Sequence, residues 1–231
     1  MDPLYVFLPW LSVETRSVSF FEYLAFIVLS ISLFYVLYKA WMLDSLGLYF
    51  MSLSMAIFLV IIIMHILVEM VGFWDPFQYR FYYFFSVLIA PTLAITALIL
   101  YSGYSLKVSW YYFVYNTFIA VIFLIMIFTS PIKEFFLETP YVGGLAFPET
   151  VRYIRPLITL PASAIVLVIP IRYFLRYRDR FDALVFSLST LVLIIAGFYL
   201  RFGGIELFHY FELVAALGYL ATIYFMSIYL E

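Results

Sequence analysis

Residues 45–68 read SLGLYFMSLSMAIFLVIIIMHILV, an unbroken run in which no residue carries a formal charge and His65 is the one titratable group besides Tyr49. A helix crossing about 30 Å of hydrocarbon needs roughly 20 mostly apolar residues at 1.5 Å each, so this segment alone spans a bilayer. Comparable charge-free runs occur at 23–38, 81–106, 108–132, 156–171, 183–200 and 213–230. The run at 23–38 extends through Lys39, Ala40 and Trp41, and that at 156–171 through Arg172, whose long stem can reach the interface. The expectation is one all-α membrane domain over 1–231, a polytopic bundle of about seven transmembrane helices at 20–43, 45–70, 79–101, 108–130, 154–175, 181–201 and 205–230. Membrane β-strands would alternate polar and apolar residues, which these continuous runs do not.

Composition agrees. Hydrophobic residues make up 67% of the chain and charged residues 11%, against about 25% charged in ordinary soluble domains. A net charge of -2 offers no basic footprint for nucleic acid. The absence of cysteine excludes disulfides, thiolate metal sites and cysteine nucleophiles. Asn116 and Gln78 are the sole side-chain amides, a thermophile trend that membrane burial also produces. The first hydrophobic stretch follows Asp2, Glu14, Arg16 and Glu22 rather than a basic leader, so it does not read as a cleaved signal peptide. Residues 1–19 are expected to lie in the headgroup layer, with Tyr5 and Trp10 at the interface.

An odd number of crossings puts the termini on opposite faces. The face at the N-terminus is side A and the other is side B. Each holds six of the Lys and Arg residues, but side B carries the cluster Arg172, Arg176, Arg178 and Arg180. The positive-inside rule then makes side B cytoplasmic, with the N-terminus outside the cell membrane and the C-terminus inside.

Asp44–Ser54 (DSLGLYFMSLS) and Asp179–Ser189 (DRFDALVFSLS) align without a gap. Both follow a side-B turn and open a helix. This spacing predicts two parallel three-helix units joined by the fourth helix, a 3+1+3 plan; convergent N-capping by the two aspartates explains the similarity equally well. The third, fifth and seventh helices are expected to form the packed interior, the third and seventh by their small residues. In the fifth, Pro156 suits the first turn, whereas Pro161 and Pro170 each remove an interior donor, to be accommodated by neighbouring helices or used as a hinge. The longest loop, 131–153, carries Phe135, Phe136, Tyr141, Val142 and Phe147 and reads as an interfacial lid or partner contact.

Chemistry concentrates near the side-A ends of the second and seventh helices. His65 and Glu69 are four apart on one face, and Glu206, His209 and Glu212 follow at steps of three. These are the only two histidines, at matched depth, and ionisable groups within membrane helices are functional candidates. Three readings compete: His65 and His209 as axial ligands of haem b; a single transition metal held by His65, His209 and carboxylates from Glu69, Glu206 and Glu212; or a proton relay. Against them stands an ordinary helix interface with locally bonded histidines. A di-metal centre is disfavoured because a second Glu-x-x-His is absent.

No nucleophile elbow, zincin helix, P-loop or dinucleotide fingerprint is present. The small polytopic lycopene cyclases are similar in size and in using three-helix repeats. Those enzymes carry a proline-led acidic pair, whereas Pro148-Glu149 is followed by Thr150, so the resemblance is confined to architecture. The expected function is a non-enzymatic subunit of a transport, translocation or energy-transducing complex. The alternatives are a haem- or metal-binding redox subunit, an enzyme acting on a lipid or isoprenoid, and a seven-helix sensor lacking its output domain. Expected partners are membrane lipids and either other membrane subunits or an ATPase or redox protein, because short loops leave no machinery for energy coupling.

Overall fold

A computed structural model describes residues 20–102, 106–133, 146–201 and 205–230, without the side chains of 106, 198–201, 205–207 and 230. Seven helices follow one another: α1 (Phe20–Leu43), α2 (Leu46–Val71), α3 (Pro76–Tyr101), α4 (Leu106–Thr129), α5 (Glu149–Arg176), α6 (Phe181–Arg201) and α7 (Ile205–Leu230). Over the described residues, all but α6, whose side chains are described only over Phe181–Gly197, are long and apolar enough to cross a membrane. The exception is 21 residues long, about 31 Å at the usual rise, and packs between α5 and α7. Large apolar side chains such as Phe34, Phe118 and Leu160 point away from the bundle, as lipid-facing residues do. The protein is a multi-pass helical membrane bundle.

Helix ends follow local chemistry. Asp75 accepts from the amides of Phe77 (2.9 Å) and Gln78 (3.2 Å), and Pro76 fills the first helical position, so α3 begins at 76 rather than at 79. Gly72, at φ 90°, returns its amide to the carbonyl of Val68 and ends α2. α5 starts at Glu149, five residues earlier than expected, because extending the helix buries Val151. Pro156 is therefore inside the helix and not in its first turn.

The helices α1, α2, α3, α5, α6 and α7 form a ring in which each contacts the next, and α4 packs outside against α3 and α5. Exchanging α1, α2, α3 with α5, α6, α7 maps every contact of this ring onto another: α1–α2 onto α5–α6, α2–α3 onto α6–α7, and α1–α7 onto α5–α3. That adjacency is what two parallel three-helix units would produce, with α4 left over. Asp44 and Asp179 precede α2 and α6, which occupy corresponding places.

The capping explanation fails for Asp44. Its backbone is left-handed (φ 45°), and the N-cap position belongs to Ser45, which makes no side-chain cap bond. Near α6 it is the carbonyl oxygen of Asp179 that accepts, from the amide of Phe181 and from the Tyr229 hydroxyl.

The interior also differs from expectation. α2 and α3 are the most buried helices, whereas α5 buries only a stripe of Val151, Ile158, Ala162, Val166 and Pro170. One of its interior prolines is compensated from outside. Pro170 has no N–H for the carbonyl of Val166, and Ser187 on α6 donates to that oxygen at 3.0 Å. A neighbouring helix accommodates the proline, as one of the two sequence readings anticipated.

Of the long loop, residues 134–145, including Phe135, Phe136, Tyr141 and Val142, lie outside the described residues, as do residues 1–19 with Tyr5 and Trp10. Phe147 is fully buried and stacks on Tyr79 at 5.3 Å between ring centres.

Candidate functional site

Three helices deliver five titratable side chains to one place at the side-A end. α1 brings Glu22 from its first turn, α2 brings His65 and Glu69, and α7 brings His209 and Glu212. The helical step explains each pair: His65 and Glu69 are one turn apart, and so are His209 and Glu212, so each pair leaves its helix on one face. α1 contacts both α2 and α7, which brings its first turn between them.

His209 is the centre. Its Nε2 lies 3.1 Å from Glu69 Oε1, and its Nδ1 lies 3.2 Å from Glu212 Oε2 and 3.9 Å from Glu22 Oε1. His65 Nδ1 lies 3.8 Å from Glu22 Oε1 and 3.9 Å from Glu212 Oε1. The two imidazole rings stand almost perpendicular, 6.3 Å apart. Glu22 is 0% exposed and neither of its carboxylate oxygens has a hydrogen bond among the described residues. Aromatic rings wall the site off. Tyr82 lies 4.8 Å from the His65 ring, with Phe208 at 5.5 Å and Trp74 at 6.2 Å.

The arrangement therefore collects three carboxylates and two imidazoles in one largely buried cluster. Burying carboxylate charge without a counter-charge is strongly unfavourable, so the cluster requires protons or a cation. One donor atom each from Glu22, His209 and Glu212 lies within 4.8 Å of the others, which is metal-ligand spacing. His65 stands outside that spacing and approaches the carboxylates of Glu22 and Glu212 at 3.8 and 3.9 Å. A porphyrin fits poorly: the Glu22 carboxylate lies within 3.9 Å of both Nδ1 atoms, where the haem plane would have to pass, and both nitrogens of His209 already face carboxylates.

Of the residues expected from the sequence, His65, Glu69, His209 and Glu212 come together. The side chain of Glu206 lies outside the described residues. Glu22 was missed because it reads as the last of a charged run ahead of the first apolar segment. The signal was nonetheless present: with α1 beginning at residue 20, Glu22 falls at the same membrane end as both histidines.

Compared with protein-family models, with curated proteins and with solved structures, the chain matches none.

Proposed function

We propose that the protein is a membrane transport protein, or the membrane subunit of a transport complex, whose buried His-Glu cluster binds one divalent transition-metal ion. The observation that carries this reading is that one donor atom each from Glu22, His209 and Glu212 lies within 4.8 Å of the others, with His65 Nδ1 a further 3.8 and 3.9 Å from the two carboxylates. Ligands in a tetrahedron with bonds of about 2.0–2.1 Å stand about 3.3 Å apart, so the three donors close on an ion by drawing together at most about 1.5 Å, and three protein ligands leave the open position of a mononuclear site. Imidazole and carboxylate suit Zn, Fe or Mn.

Glu69 supports the same reading. A metal-bound histidine usually donates its other ring N–H to a carboxylate, which fixes the tautomer and raises ligand basicity. Glu69 lies where that group belongs, at Nε2 of His209, leaving Nδ1 to face Glu22 and Glu212. A neutral Nδ1 3.2 Å from a carboxylate oxygen would be two acceptors in contact, and a cation between them removes that conflict.

The continuous line Glu69–His209–Glu212 also favours a second reading, a proton relay. Titrating the purified chain with Co2+ separates the two. Metal binding is expected at one ion per chain, with visible ligand-field bands and displacement by Zn2+, and Glu22→Gln lowers affinity at least tenfold with the thermal transition retained. Saturable binding absent from the folded wild-type chain, together with dissipation of a pH gradient in liposomes, would replace the metal reading by the relay. A Soret band in the same spectra would restore haem.

A further inference from the structure

The interior of the ring holds three features at successive levels between side B and side A. At side B a cavity of about 460 Å³ is lined by Leu43, Asp44, Ser45, Leu100, Arg180 and Met226. Its polar wall comes from the α1–α2 turn and the α5–α6 turn, the two turns that correspond under the exchange of three-helix units. It therefore opens where the units meet. Arg180 contributes little positive charge there, because its guanidinium is bound through two 2.9 Å bonds to Asp182 and reaches the Tyr173 hydroxyl at 3.3 Å. Asp44 is exposed and has no ion pair among the described residues, so one carboxylate lines the mouth.

At mid-depth Ser54, Met55, Phe58, Ile89, Leu93 and Tyr219 surround a space too narrow for a water molecule. Beyond it lies the His-Glu cluster. The same two helices line all three levels: α2 through Ser45, Met55 and His65, spaced about 15 Å apart at each step, and α7 through Met226, Tyr219 and Glu212, about 10 Å apart.

We infer that the ring interior is the route by which a divalent cation reaches the His-Glu cluster from side B, and that Met55, Phe58, Leu93 and Tyr219 form the gate that closes it here. This rests on the metal reading above. A hydrated dication cannot pass an apolar constriction that excludes water, so binding requires the gate to part. The gate is divided between the two units. Met55, Phe58 and Leu93 belong to α2 and α3, while Tyr219 belongs to α7 and is tied within its own unit to Thr190 of α6 at 3.0 Å. Rocking one unit against the other, which disturbs the α1–α7 and α3–α5 contacts of the ring and, at side A, the α2–α7 contacts of the His-Glu cluster, separates the gate residues without unpacking either unit.

The cysteine-free chain permits a direct test in nanodiscs, where both faces are accessible. Ser45→Cys is modified to completion with a bulky methanethiosulfonate, and Co2+ binding is followed by stopped-flow absorbance, with Phe73→Cys on the side-A turn as the comparison. Modification at 45 should slow binding at least tenfold, leave the endpoint affinity within about twofold, and have no counterpart at 73. Tyr219→Ala should accelerate binding several-fold. Co2+ binding at an unchanged rate after modification at 45, or slowing at 73 instead, overturns the side-B route while the metal site stands. A chain that binds no Co2+ at equilibrium overturns both.

Discussion

Glu69 Oε1 lies 3.1 Å from Nε2 of His209, joining α2 to α7 directly although the residues are 140 positions apart. Neither side chain is placed by its own helix alone. Glu69 is held at the end of α2 just ahead of the Gly72 cap, and His209 rises from the second turn of α7 to meet it. The contact orients the imidazole, so Glu69 is a positioning residue for the metal ion proposed above. Glu69→Gln should weaken Co2+ affinity about 10- to 100-fold without changing the stoichiometry. Equilibrium titration checks this, and an affinity equal to wild type would mean that Glu69 does not orient the ligand.

The bond from Ser187 to the Val166 carbonyl predicts a non-additive pair. Ser187→Ala leaves a buried carbonyl without its donor and should cost about 1 kcal/mol. In Pro170→Ala the helix regains an N–H for that oxygen, so adding Ser187→Ala should then cost clearly less. Thermal or denaturant unfolding of the four proteins, read as a double-mutant cycle, measures the coupling. Strict additivity would disconnect the serine from the proline.

At side B, Asp182 is 0% exposed and Arg180 is 23% exposed, and their two bonds fasten the α5–α6 turn to the start of α6. The hydrogen bond to Asp182 is the leading cause that holds the Arg180 guanidinium above its ordinary range. A group whose folded pKa is raised contributes stability below its unfolded pKa and loses it above, so Arg180 stays cationic and adds no pH dependence between about pH 5 and 9. Asp182→Asn leaves a partly buried cation with weaker bonds. It should destabilise the bundle by about 2 kcal/mol, below the full cost of a completely buried pair because Arg180 retains solvent. An unchanged unfolding midpoint for Asp182→Asn would show that the pair is replaced by water.

The exposed arginines of the α5–α6 turn make a prediction about orientation. Arg178→Cys in the otherwise cysteine-free chain should react with a membrane-impermeant maleimide only in inverted vesicles or after permeabilisation. Labelling of intact cells at residue 178 would reverse the assignment.

The sequence by itself determined that the chain forms long apolar helices, because a charge-free run such as 45–68 meets the bilayer's demand for internally satisfied backbone through local hydrogen bonds alone. It also carried the repeated pattern after Asp44 and Asp179, and the depth of His65 and His209, since depth along a helix is a matter of counting residues. Capping was not read correctly: the expected start of α3 at 79 passes over the cap at Asp75-Pro76, while the cap expected at Asp44 belongs to Ser45. Which helices are neighbours was not legible, because lipid-facing and bundle-facing apolar residues look alike: α5, irregular through its prolines, reads as interior yet buries only one stripe, while α2 becomes core. The tertiary structure alone decided that α1 lies between α2 and α7, and that decision turned Glu22 from a boundary charge into the carboxylate within 4 Å of both histidines. Helix propensity and hydropathy act over a few residues. The cluster depends on contacts between helices far apart in the chain, which only the packing of the ring creates.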